Sequence, residues 1–137
     1  MNILVTHPPA DLALYYGEDA IAALREHGTV RLNPLPGPLD TAGLVRAAEG
    51  CELIIADRQT RVEREVFESL PHLVAVLRCA MDISTIDVAA ADRAGVLVTR
   101  ASAGFIDSVA ELAIGFMVDL ARASATQSCH IGPAKRP

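Results

Sequence analysis

The chain has 137 residues, 51% of them hydrophobic and 21% charged, with a formal net charge of -5. That length and apolar content suit one domain built on one sizeable core. The acidic balance, the dispersion of the 12 Lys and Arg residues and the absence of Trp exclude a phosphate-binding face and an aromatic stacking platform, so no nucleic-acid partner is expected.

In chain order, the first strand is the apolar run Asn2 to Thr6, ended by His7-Pro8-Pro9 because proline lacks an N–H and restricts its predecessor. A helix follows within Gly17 to His27, where Ala20, Ile21, Ala23 and Leu24 recur at helical spacing, Glu18 and Asp19 suit the N-terminal end, and Gly28 is a C-cap candidate. Thr29 to Asn33 reads as a second strand, Asn33 to Pro38 as a rigid loop, and Asp40 or Thr41 as the cap of a helix reaching about Glu49. The third strand, Cys51 to Ala56, carries Leu53-Ile54-Ile55-Ala56, a run expected to be buried on both faces as in a parallel sheet. A polar loop, Asp57 to Arg61, leads to a charged helix from Val62 to Ser69. Leu73 to Leu77 is the fourth strand, Ile86 to Ala94 a helix closed by Gly95, and Val96 to Thr99 the fifth strand. Strands alternating with helices through short joins predict an α/β, doubly wound parallel sheet of five strands.

The last helix differs. From Ser108 to Ala123 only Glu111, Asp119 and Arg122 interrupt an apolar circumference, whereas a surface helix carries an apolar stripe. A cover from another part of the chain or from a second subunit is expected, and a homodimer through Ser108 to Ala123 is the form this takes. The polar residues 124–137 show no periodicity and are expected to be disordered.

No apolar run approaches the ~20 residues of a bilayer span, and Met1 leads straight into a strand. No membrane anchor or signal peptide is therefore read, and a cytoplasmic location is expected. Cys51, Cys79 and Cys129 are odd in number and far apart, and His7, His27, His72 and His130 are dispersed, so neither disulfide nor metal site is expected. In such a sheet the ligand site lies in loops beyond the strand C-termini, here Arg78 to Thr85 and Arg100 to Asp107.

Three blocks carry a family resemblance. Thr60-Arg61-Val62 before a helix, with Leu70-Pro71-His72-Leu73 before a strand, looks like a T-x-V-T helix and an A-P-N-L strand start. Arg78 through Ile86-Asp87 stands where R-x-G-V-G-V-D-N-I-D is found, and Ala94 to Val98 with Ser108-Val109-Ala110-Glu111 matches an R-G-I-x-V strand and an S-V-A-E helix opening. In this order and spacing, residues 1–123 resemble the N-terminal part of the D-isomer-specific 2-hydroxyacid dehydrogenases. The resemblance implies a flavodoxin-like substrate-binding, or catalytic, lobe over 1–107, a connecting or dimerisation helix over 108–123, and a chain truncated before the NAD-binding lobe. It implies hydride transfer between a 2-hydroxy acid and NAD, with a small 2-hydroxy or 2-oxo acid as partner. The family's catalytic Arg, Glu and His belong to the other lobe, so no catalytic residue is assigned in this chain. No G-x-G-x-x-G follows a strand here, and no cofactor-binding residue is assigned.

The resemblance makes Arg78, Ala80, Met81 and Asp82 the substrate-binding residues, since the family holds a carboxylate on the backbone N–H groups of its G-V-G loop. Here Ala80-Met81-Asp82 replaces those glycines, and Asp82 sets a carboxylate where an anion should sit unless its side chain turns away. Ala56-Asp57-Arg58 stands for V-R-S, and Phe105 for an Asn three residues before S-V-A-E. Other readings remain open: Arg78 in a structural ion pair, Asp82 or Ser84 as a helix cap, and Ser108 with Glu111 as a capping box without a ligand. A non-enzymatic partner-binding module using the apolar helix is the alternative function. A receiver-like domain is disfavoured because Thr6-His7-Pro8 replaces the acidic cluster such a site needs.

Overall fold

The computed structural model describes residues 1–122. The polar segment 124–137, the helix end at Ala123, Cys129 and His130 lie outside the described residues. The chain divides into two compact units, Met1–Ser102 and one that begins at Ala103.

The first unit holds β1 (Asn2–Val5), α1 (Pro9–Tyr15), α2 (Gly17–Arg25), β2 (Thr29–Leu32), α3 (Thr41–Ala47), β3 (Leu53–Ala56), α4 (Arg64–Ser69), β4 (Ala75–Arg78), α5 (Val88–Ala94) and β5 (Leu97–Arg100). Its five strands are all parallel in the order β2-β1-β3-β4-β5, the flavodoxin-like, doubly wound arrangement expected. Order reverses beside β1, so helices pass on opposite faces to either side of it.

Local chemistry sets the element ends. The Asp40 carboxylate accepts the Gly43 N–H at 2.7 Å and starts α3, a cap contributing about 1 kcal/mol. Gly95 closes α5 at φ 70°, a left-handed position that a Cβ disfavours. Asp87 caps α5 by accepting from Ala90 N–H at 2.9 Å, so the cap is neither Asp82 nor Ser84.

Two expectations need correction, and one helix was not foreseen. Helix α1 fills the stretch before Gly17 to which no element was assigned, because Pro9 stands at the first turn, where its missing N–H costs nothing. Gly28 is not the cap of α2, which ends in an ordinary right-handed turn at Glu26. It is glycine for another reason: a Cβ there would collide with the Met1 carbonyl oxygen, where the chain passes β1. Finally, the third strand is not buried on both faces. Ile54 and Ala56 are buried, but Leu53 and Ile55 are only half-buried.

The register explains the difference. Leu4, Ile54, Val76 and Val98 share one face, where Leu44 of α3, Val66 and Phe67 of α4, and Ala90 and Ala91 of α5 seal them into the main core. On the other face Ile3 and Val5 of β1 are buried, Leu53, Ile55 and Leu77 are half-buried, and Leu97 is 61% exposed.

The second unit contains α6 (Ile106–Arg122). It starts before Ser108, since Val109 N–H already bonds the Phe105 carbonyl at 3.0 Å, so Ser108 lies inside the helix and is not its cap. None of its residues is buried, and Met117 and Leu120 are 69% and 80% exposed.

Candidate functional site

Six polar side chains are buried among the described residues: Thr6, His7, Asn33, Asp57, Thr60 and Arg78. All follow or close the C-terminal ends of β1 to β4. Burying polar groups is costly unless they bond one another, so their concentration at one sheet edge marks that edge as built for a purpose.

The network can be followed from strand to strand. Asn33 donates from Nδ2 to the Thr6 carbonyl at 2.9 Å and the Gly37 carbonyl at 3.0 Å, and its Oδ1 accepts Leu35 N–H. Thr6 Oγ1 accepts the Asp57 N–H at 3.0 Å, joining the ends of β1 and β3. Asp57 Oδ1 accepts N–H groups from Gln59 at 2.8 Å and Thr60 at 2.6 Å, folding the loop after β3 into a tight turn.

Arg78 is the hub. It is 3% exposed and makes five hydrogen bonds, one for each guanidinium N–H. Nε donates to the Asp82 carbonyl at 3.1 Å, Nη1 to the carbonyls of Asp57 and Thr60, and Nη2 to the Arg58 carbonyl at 2.6 Å and Thr85 Oγ1 at 2.9 Å. Its partners are loop carbonyls and a hydroxyl, not a carboxylate. Burial pulls its pKa below the ordinary guanidinium value, opposed by the charges of Asp57 and Asp82. The side chain thus pins the loop after β3 to the loop after β4.

That second loop is the predicted substrate loop. The backbone N–H groups of Ala80, Met81 and Asp82 have no acceptor among the described residues. The carbonyls face other work: Ala80 accepts Ala101 N–H at 3.2 Å, Met81 accepts Arg100 Nη1 at 3.4 Å, and Asp82 accepts from Arg78. The Asp82 carboxylate turns onto Ser84, accepting its N–H and its hydroxyl at 2.8 Å each, and these bonds hold its pKa below the usual carboxylate value. Loop N–H groups of this kind can bind an anion. Of the other predicted loop, Arg100 and Ala101 brace this one, Ser102 ends the first unit, and Phe105 in the second unit is 53% exposed.

Beside the loop, a cavity of about 220 Å³ is lined by His7, Leu12, Tyr16, Ile55 and Cys79 among others. His7 meets the Tyr16 ring edge-on, with centroids 4.9 Å apart. Burial lowers the His7 pKa more than the Asp57 charge raises it. Three buried polar atoms here, His7 Nδ1, Asp57 Oδ2 and Thr60 Oγ1, have no partner among the described residues. Sequence reasoning missed His7, Asn33 and Asp57 as site residues; their signal is a polar residue standing directly after each apolar strand.

The turn after β1 carries Pro8 and Pro9, which offer no N–H, and the turns after β3 and β4 contain no glycine, so none provides the close backbone approach that a pyrophosphate needs. Among the described residues no group of His, Cys, Asp and Glu could hold a metal ion, and no helix is long and apolar enough to cross a membrane.

Residues 3–130 match the family described as D-isomer specific 2-hydroxyacid dehydrogenase, catalytic domain. D-3-phosphoglycerate dehydrogenase of Methanocaldococcus jannaschii is 32% identical over 122 residues, which are 89% of this chain and 21% of that protein. The chain thus spans about a fifth of that relative's length. Among solved structures, an acyclic imino acid reductase in complex with NADPH and D-Arg superposes with a TM-score of 0.73 at 17% identity, covering 99% of this chain and 43% of that one. D-lactate dehydrogenase from Escherichia coli gives 0.64 at 21% identity, covering 100% and 42%. At such identities the structural likenesses show the fold alone.

Proposed function

The chain belongs to the D-isomer specific 2-hydroxyacid dehydrogenase family, in which it matches the catalytic domain, and on that premise we propose that it is the lobe that holds the substrate during hydride transfer between a 2-hydroxy acid and NAD. The observation that carries this reading is the loop after β4, where the N–H groups of Ala80, Met81 and Asp82 lack acceptors while the Asp82 carboxylate is tied to Ser84. The substrate carboxylate accepts from these N–H groups. Arg78 is a positioning residue: its donors are all committed, so it fixes the loop and adds positive potential at longer range.

NAD is the cofactor of the family. In this reading the nucleotide, and the Arg, Glu and His that act at the reacting carbon, come from a separate nucleotide-binding lobe, and the chain alone is not catalytically competent. Calorimetric titration with oxamate tests it. Weak saturable binding is expected, lost in Met81→Pro, which removes one donor, and NADH is expected to give no saturable fluorescence change. Undiminished oxamate binding by Met81→Pro would overturn the carboxylate assignment, and saturable NADH binding would overturn the division of labour.

A second reading, a module that joins a second copy through α6, is favoured by the exposure of its apolar residues, Phe116 among them at 60%. Sedimentation of the wild type against Phe116→Asp decides it: a dimer reduced to a monomer supports self-association, and two monodisperse monomers contradict it.

A further inference from the structure

Resting on the proposed role of the loop after β4, we propose that the cavity between His7, Leu12, Tyr16, Ile55 and Cys79 receives the carbon chain of the substrate and selects short, uncharged aliphatic 2-oxo or 2-hydroxy acids over phosphorylated or dicarboxylic ones. Position is the first argument. Cys79 lines the cavity and is followed directly by Ala80, the first of the residues whose N–H groups lack acceptors. The residues that would hold a carboxylate thus follow directly in the chain on a residue of the cavity wall.

Size is the second. About 220 Å³ is smaller than the roughly 300–1,000 Å³ of pockets for drug-sized ligands, so the occupant is a fragment of a few carbon atoms. Chemistry is the third. The rest of the lining comes from Val5 and from Ala20, Ile21 and Leu24 of α2, all apolar. Among the described residues no Lys or Arg lines the cavity, and the buried cation at this end of the sheet, Arg78, has every N–H committed. Asp57, buried with one carboxylate oxygen unpartnered, acts electrostatically on His7 at the cavity wall. A phosphate or second carboxylate entering here would lose water, find no cation and face that negative charge. An alkyl chain gains about fourfold in affinity for each methylene buried.

The preference runs against the D-3-phosphoglycerate dehydrogenases that this chain resembles, and it is read from the cavity alone.

The test is a ligand series on the full 137-residue chain, followed by amide and methyl resonances. Pyruvate reports the carboxylate loop, 4-methyl-2-oxopentanoate adds a branched chain, and 3-phosphonooxypyruvate and 2-oxoglutarate add a charged one. The branched acid is expected to bind about tenfold more tightly than pyruvate, or better, and to move the Leu12 and Ile55 methyls. The charged acids are expected to bind no better than pyruvate. In Ala20→Phe, which fills the cavity from α2, the branched acid should lose its advantage over pyruvate; the wild-type series stands if this variant does not fold. Pyruvate shifting the loop amides while the branched acid gains nothing would overturn the cavity assignment and leave the proposed function standing. Tightest binding by the phosphorylated acid would also overturn it. Methyl shifts at Leu12 and Ile55 without loop amide shifts would instead overturn the carboxylate reading beneath it.

Discussion

On one face of the sheet Leu4, Ile54 and Val76 lie under α3, α4 and α5; on the other, Leu53, Ile55 and Leu77 stay half-buried and Leu97 is largely open. The same parallel strands supply both faces, so the difference comes from what packs against them. The sealed face carries the stability of the lobe. The other face keeps room at its C-terminal edge, where His7, Tyr16 and Cys79 bound a small cavity beside the loop after β4, the proposed seat of the substrate.

Neighbouring isoleucines on opposite faces sharpen this contrast most strongly. Ile54→Ala is expected to cost about 3–4 kcal/mol, as for a fully buried aliphatic chain, and Ile55→Ala about 1 kcal/mol. Urea midpoints at constant m-value measure both. Equal costs would mean that the second face is covered in solution.

The next effect belongs to the edge where the faces meet. Arg78→Lys keeps the charge but loses the planar fork that joins two loops, leaving the buried Asp57 carbonyl without a donor and the Thr60 carbonyl with only the long bond from Thr85 Oγ1 at 3.4 Å. A loss of about 2 kcal/mol is expected, together with weaker oxamate binding; unchanged oxamate affinity would separate the loop from its hub.

A pH dependence follows from His7. Its folded pKa lies below the ordinary value of about 6.5 because burial dominates. The folded state therefore binds this proton less readily than the unfolded chain. The contribution is complete above the unfolded pKa and is lost as pH falls from there through the lowered folded pKa. Urea midpoints of wild type and His7→Gln should diverge above pH 6.5 and converge below it; parallel curves would contradict the burial account.

The smallest effect is the sharpest control. Leu97→Thr, on the open face at 61% exposure, should change stability by no more than about 0.5 kcal/mol. A cost above about 2 kcal/mol would reveal a cover over β5.

The alternation of strands and helices, the Asp40 cap and the Gly95 stop were legible in the chain because each rests on local chemistry. Helix α1 was not, because Pro8-Pro9 punctuates a strand end and also starts a helix, and only packing chooses between them. The inequality of the two sheet faces was hidden for a related reason: Leu53 to Ala56 is apolar throughout, and nothing in it says how far the helices reach. The site was half-legible. Arg78, Ala80, Met81 and Asp82 were named from the resemblance, but the five bonds of Arg78 need two loops that meet only in the fold. The turning of Asp82 onto Ser84 was likewise a matter of side-chain geometry that spacing does not reveal.

The most direct measurement is an amide spectrum of the chain titrated with pyruvate and, separately, with pyruvamide, which keeps the 2-oxo group but carries no anionic carboxylate. Saturable shifts of the Ala80, Met81 and Asp82 amides with pyruvate alone are the expected result. Shifts confined to other residues, or equal shifts with both compounds, would contradict the assignment of this loop as the seat of a substrate carboxylate.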